Sequence, residues 1–214
     1  MRMFTALCSA LCLLAGADAF AAGKDLSTHA ERTAFSETGR YDEVQRLCRE
    51  FAASHPKQVR CFSFGKSAEG REMMVLAANM QGVLTPEAAL AAKLPVTLIQ
   101  GGIHAGEIDG KDAGFLVLRE LLENPGKDNP LNRQVLLFVP VFNVDGHERF
   151  KAFNRPNQRG PKEMGWRTTA QNFNLNRDYA KVDSPEMAAM LAMVNAWDPL
   201  FYVDLHVTDG AKFQ

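Results

Sequence analysis

Two stretches of this 214-residue chain carry no charge and almost no polar atoms: Leu94 to Gln100 (LPVTLIQ) and Val135 to Phe142 (VLLFVPVF). A strand that shows one face to water alternates apolar and polar residues, whereas an unbroken apolar run of this length suits a strand buried on both faces. Helices supply that burial, and the intervening sequence provides one. From about Asp109 to Glu123, Phe115, Leu118, Leu121 and Leu122 fall on one side at helical spacing. Strands alternating with helices predict an α/β fold, with a mostly parallel mixed sheet flanked by helices.

The flanking sequence extends the pattern. Over 42–53, Val44, Leu47, Cys48 and Phe51 stand at i, i+3, i+4 and i+7, and His55-Pro56 ends that helix. Val59 to Phe64 and Glu72 to Ala78 predict two strands joined by a turn over 65–70. Ser184-Pro185-Glu186 is a helix start, with a capping hydroxyl, a proline in the first turn and an acid near the dipole's positive end. That helix runs to about Ala196, and Leu200 to Leu205 forms a last strand. Residues 149–172 are polar, broken by Gly and Pro, and hold Arg149, Arg155, Arg159 and Arg167. They predict a long surface loop, and loops of that length within a compact domain usually carry function.

Composition excludes several classes. With 24 Lys+Arg against 25 Asp+Glu the formal net charge is −1, so bulk charge directs the chain to neither nucleic acid nor an anionic membrane. An apolar fraction of 46% with 14 Phe excludes a disordered chain. Arg2, the uncharged run Met3 to Ala15, and the small pairs Ala17/Ala19 and Ala19/Ala21 make the three regions of a secretory signal. Residues 1–21 are thus expected to be a signal peptide and 22–214 the mature domain, exported to a periplasm or secreted. Neither Cys8 nor Cys12 has the context for lipid attachment, so no membrane anchor is expected. Removing the signal leaves Cys48 and Cys61, which form either a disulfide or two buried thiols; the sequence leaves both open.

The chemistry gathers at strand ends. Of five histidines, His29 and His55 lie in polar surface contexts and His147 reads as a loop residue after Asp145-Gly146. His104 and His206 each follow an apolar strand, and open α/β sheets collect their ligand groups at the carboxyl ends of strands. Gly101-Gly102 delivers His104, and Glu107 follows three residues later where a helix begins. Imidazole plus carboxylate suits Zn²⁺, and His206 can add a third ligand while the fourth position stays open to water. The competing reading is two core histidines and an acid placed by the helix dipole. Asn174-Leu175-Asn176-Arg177 offers an amide and a planar guanidinium fork, which suit a carboxylate, or else is an ordinary turn with a surface arginine.

Taken in order, His104-Ala105-Gly106-Glu107, Asn143-Val144-Asp145-Gly146, Asn174-Leu175-Asn176-Arg177 and Asp204-Leu205-His206 resemble the zinc metallocarboxypeptidases of the carboxypeptidase A type. The resemblance runs from the 65–70 turn to Asp209. It implies the family's zinc-exopeptidase fold and one Zn²⁺ held by His104, Glu107 and His206. It also implies that Asn176 and Arg177 bind a substrate's terminal carboxylate. An upstream arginine would polarise the scissile carbonyl; Trp166-Arg167 matches the family's context best and Arg155 second. The implied substrate is a peptide or an acyl amino acid; nucleic acid is excluded by the charge balance, and the oligomeric state is not set by the sequence. Two departures stand out. Asn174 occupies the place where the family often has an aspartate buttressing a zinc histidine. The family's catalytic glutamate and substrate-capping tyrosine come well after the third ligand, and nothing here matches either, so the fold reads as truncated at its C-terminus. The expected function is an exported zinc-dependent peptidase. The alternatives are an amidase or deacylase of the same superfamily, a zinc- or peptide-binding module without turnover, and a fragment that does not fold.

Overall fold

A computed structural model describes residues 25–156 and 158–207; the expected signal peptide lies outside the described residues. Five strands form one sheet: β1 Val59–Lys66, β2 Glu72–Ala78, β3 Val96–Gly101, β4 Val135–Val139 and β5 Phe201–Leu205, in the order β1-β2-β4-β3-β5. β1 with β2 and β2 with β4 run antiparallel, while β3 pairs in parallel with both β4 and β5. The sheet is mixed, and its parallel half delivers both strand-end histidines to the same edge. Gly101 stands beside Leu205 in the β3–β5 register, so His104 and His206 leave the sheet close together.

Six helices are described: α1 His29–Arg32, α2 Tyr41–Ser54, α3 Pro86–Ala92, α4 Asp109–Glu123, α5 Val144–Glu148 and α6 Pro185–Trp197. Side chains on β4 alternate between two cores. Leu136 and Phe138 join Leu47 and Phe51 of α2 and Phe115 and Leu118 of α4, while Leu137 and Val139 join Met187, Met190 and Trp197 of α6. The sheet is therefore covered on both faces, as the two apolar runs require. Phe115 lies between the rings of Phe51 and Phe138, at centroid distances of 5.8 and 5.3 Å.

Several elements depart from expectation for identifiable reasons. β4 stops at Val139, three residues early, because Pro140 has no N–H to give a ladder. The chain still follows β3, with Phe142 N–H donating to Gly101 O and Asn143 N–H to Gly102 O. Gly102 sits at φ 63°, where a side chain would be strained. The 149–172 segment is not a plain surface loop. Lys151 and Met164 form an antiparallel bridge, and Arg155, Met164 and Thr169 are buried. His147, expected in a loop, is buried within α5 against Tyr41 and Phe150. Burial lowers its pKa, so its neutral form is favoured.

Cys48 on α2 and Cys61 on β1 form a disulfide, with Cα atoms 5.4 Å apart, which settles the alternative in favour of the bridge. Replacing both by serine is expected to lower stability by about 2–3 kcal/mol, from the loop entropy restored to the unfolded chain. Urea titration of oxidised wild type and the double variant would measure this; coincident curves would contradict it.

Candidate metal centre and substrate site

Three of the sequence-selected residues meet. His104, Glu107 and His206 each offer a ligand atom, all within 4.8 Å of one another. Glu107 is central: its Oε1 lies 3.0 Å from His104 Nδ1 and its Oε2 lies 3.0 Å from His206 Nδ1. The backbone N–H of Val207 also donates to Oε2, at 3.2 Å. His104 and Glu107 are buried, while His206 stands at the exposed rim. Both imidazoles turn Nδ1 to the same carboxylate, an arrangement set by the Gly101-Gly102 turn on one side and the end of β5 on the other. His104 Nε2 is buried without a hydrogen-bond partner among the described residues. A set of two imidazole nitrogens and one carboxylate fits a zinc ion with an open position.

Two arginines face the same carboxylate. Arg155 Nη1 lies 2.9 Å from Glu107 Oε1 and is buried; Arg167 Nη1 lies 3.7 Å away and its side chain is partly exposed. Burial alone would raise the Glu107 pKa, but hydrogen bonds from His104, Val207 and His206 outweigh it and hold the carboxyl at about 2. Glu148 is likewise held below the ordinary range: burial opposes the shift, and contacts from His147, Arg40 and the Tyr41 N–H outweigh it. Both groups stay ionised in the folded protein at pH values where the unfolded chain takes up protons. Their stabilisation is complete above about pH 4.5, their ordinary value, and is lost as pH falls below it, for Glu107 toward about 2. Metal-free protein is expected to lose urea resistance across that window, with a shallower loss in Glu148→Gln; parallel profiles would contradict the assignment.

The Asn143–Gly146 motif is scaffolding for Arg167. Asn143 Oδ1 accepts from Gly146 N–H at 3.0 Å, and its Nδ2 donates to Arg167 O at 3.1 Å. Trp166 N–H donates to Gly146 O at 2.7 Å. Asp145 is fully enclosed and accepts from Ser67 Oγ, Glu69 N–H and Arg71 Nη1, tying the β1–β2 turn to α5.

Asn176 and Arg177 make no direct bond to this cluster. They lie on a one-turn 3-10 helix, Leu175–Arg177, capped by Asn174, whose Oδ1 accepts from Asn176 N–H at 3.1 Å. Arg177 is exposed and donates to Asn176 O. Neither side chain bonds to Glu107 or to an imidazole. Asn174 does not buttress His104, since its acceptor oxygen serves its own turn and His104 Nε2 has no partner.

Sequence reasoning missed a polar network beside β5. Tyr202 OH donates to Gln100 Oε1 at 2.7 Å and meets Tyr179 OH at 2.8 Å; Gln100 Nε2 donates to Tyr179 OH. Asp204, two residues on, pairs its Oδ2 with His206 Nε2 at 2.9 Å. The available signal was Gln100, a lone amide closing an apolar strand, together with the alternation that puts Tyr202, Asp204 and His206 on one face.

The zinc carboxypeptidase family model matches residues 44–211. Carboxypeptidase Z of Homo sapiens is 29% identical over 156 residues, 67% of this chain and 22% of that protein. Carboxypeptidase D of Mus musculus is 26% identical over 179 residues, 78% of this chain and 12% of that protein. The chain thus spans less than a quarter of these relatives' length. Among solved structures, carboxypeptidase A of Helicoverpa armigera superposes with a TM-score of 0.63 at 21% identity, over 81% of this chain and 47% of that one. Bovine thrombin-activatable fibrinolysis inhibitor gives a TM-score of 0.63 at 18% identity, over 82% and 62%. These structures establish a carboxypeptidase fold, and the family match over most of its length means that the chain belongs to the zinc carboxypeptidase family.

Proposed function

We propose that this chain is the metal- and carboxylate-binding part of an exported zinc peptidase that removes C-terminal residues from peptides. The observation that carries the reading is the meeting of His104, Glu107 and His206 at the ends of β3 and β5, with Arg167 facing them. When bound, zinc would lower the pKa of a water and polarise a carbonyl oxygen. His104 Nδ1, His206 Nδ1 and the Glu107 carboxylate would hold it.

The chain's own residues divide the remaining work. Arg155, buried against Glu107, balances that carboxylate's charge. Arg167, more exposed and held through its backbone by Asn143, is the arginine placed to donate to a developing oxyanion. Asn176 and Arg177 present an amide and an exposed guanidinium fork for a terminal carboxylate. Proton transfer needs a carboxylate that does not hold the metal. The ligand cluster among the described residues contains a single carboxylate, so the base is assigned to a residue outside it. Export is supported by the Cys48–Cys61 bridge, which belongs to an oxidising compartment, and by the signal pattern of residues 1–21. No helix among the described residues is long and apolar enough to cross a membrane.

The test is to incubate the protein, in a form that includes the residue supplying the base, with zinc and blocked peptides and follow the released products. Loss of single C-terminal residues supports the proposal. Cleavage of N-acyl bonds alone points to the amidase or deacylase reading, and binding of zinc and C-terminal carboxylates without turnover points to a binding module.

A further inference from the structure

We infer that Asp204 is the positioning residue that orients the His206 imidazole toward the metal, an inference that rests on the zinc reading of the site. His206 stands at the exposed end of β5, where packing alone leaves its ring free to turn. Its two nitrogens face different carboxylates: Nδ1 lies 3.0 Å from Glu107 Oε2, and Nε2 lies 2.9 Å from Asp204 Oδ2. With a metal bound, an N–H on Nε2 donated to Asp204 would leave the Nδ1 lone pair for the ion and fix the ring's orientation, as outer partners of metal-binding histidines do.

The surroundings of Asp204 fit this task. Its Oδ1 is buried and has no partner among the described residues, so the carboxylate's one hydrogen bond goes to His206. The Asp204 side chain is only 22% exposed, and with Oδ1 buried its hydrogen bonding among the described residues is directed at the imidazole. Asp204 sits opposite Gln100 in the β3–β5 register, and the Gln100–Tyr202–Tyr179 network fixes the strand just before it. The two imidazoles are therefore held by different means. His104 is fixed by burial, with Nε2 unpartnered and Asn174 occupied by its own turn. His206, just past β5, is fixed by a carboxylate two residues earlier on that strand, a role the Asn174 position does not fill here.

Asp204→Ala and Asp204→Asn test this in two independent measurements. In metal-free protein, the His206 Nε2–H proton is expected as a slowly exchanging, low-field resonance, lost in Asp204→Ala while the other histidines are unchanged. By competition with a chromophoric chelator, zinc affinity is expected to fall about 10–100-fold in Asp204→Ala. Asp204→Asn, which keeps an acceptor oxygen, should fall between the two. Unshifted thermal melting of the metal-free variants would show that they fold. A resonance that persists in Asp204→Ala, or equal zinc affinity in all three proteins, overturns the inference and leaves the zinc reading standing. Wild-type protein that binds no zinc overturns both, and the resonance then reports the Asp204–His206 pairing without its metal role.

Discussion

Replacing Glu107 by Gln is expected to weaken zinc binding by roughly 100-fold or more. Loss of an outer partner of a metal ligand typically costs 10–100-fold, and Glu107 is read as a ligand itself, so its removal should exceed that range. It is also the hub of the cluster, shared by both imidazoles, the Val207 N–H and two arginines. Glutamine keeps the shape but removes the anionic ligand and brings an N–H₂ toward guanidinium groups, where an acceptor is needed. Competition titration against a chelator of known affinity would measure the change. A variant that binds zinc as tightly as wild type would show that the carboxylate serves only to neutralise Arg155 and Arg167.

The second large effect is predicted for Gly146→Val. A Cβ at this position would lie 2.5 Å from Thr168 O, 2.6 Å from Asn143 Nδ2 and 2.7 Å from Trp166 O. Two of these are backbone carbonyls, which yield less easily than a side-chain tip. The facing Gly165 shows the same intimacy, since a Cβ there would lie 2.6 Å from His147 Cα. The cost is expected at about 3 kcal/mol, the upper end for overpacking, because β-branching adds further atoms to a closed space. Because the same contact holds Arg167 in place, substrate affinity should fall even under conditions where the variant remains folded. Denaturant unfolding gives the first quantity and titration with a C-terminal carboxylate peptide the second. Wild-type stability would contradict the described packing of α5 against residues 166–168.

The parallel core was readable because its chemistry is one-dimensional. Unbroken apolar runs at 94–100 and 135–142 fix two buried strands, and a helical stripe between them fixes α4. The histidines that end such strands then stood out by position alone. What escaped depends on contacts distant in sequence or on elements too short to show a period. α1 is four residues long, and its sign was the Thr28/Glu31 capping box. α3 is largely alanine with Leu90 exposed, so it has no apolar stripe, although Thr85-Pro86 marks its start. The burial of His147 follows from a single helical turn capped by Asn143. The closeness of Arg155 to Glu107 arises where a folded-back loop meets a helix start, and no local pattern encodes it. Asp204 stands in the Asp204-Leu205-His206 motif, yet its bond to His206 emerges only from strand geometry.

Zinc stoichiometry and affinity of the purified protein, with His104→Ala as control, test the central claim most directly. One tightly bound Zn²⁺ per chain, lost in the control, is the result expected if His104, Glu107 and His206 form a metal centre at the ends of β3 and β5. Absence of specific binding, or binding untouched by His104→Ala, would contradict it and reduce the cluster to a hydrogen-bonded core of two histidines and an acid.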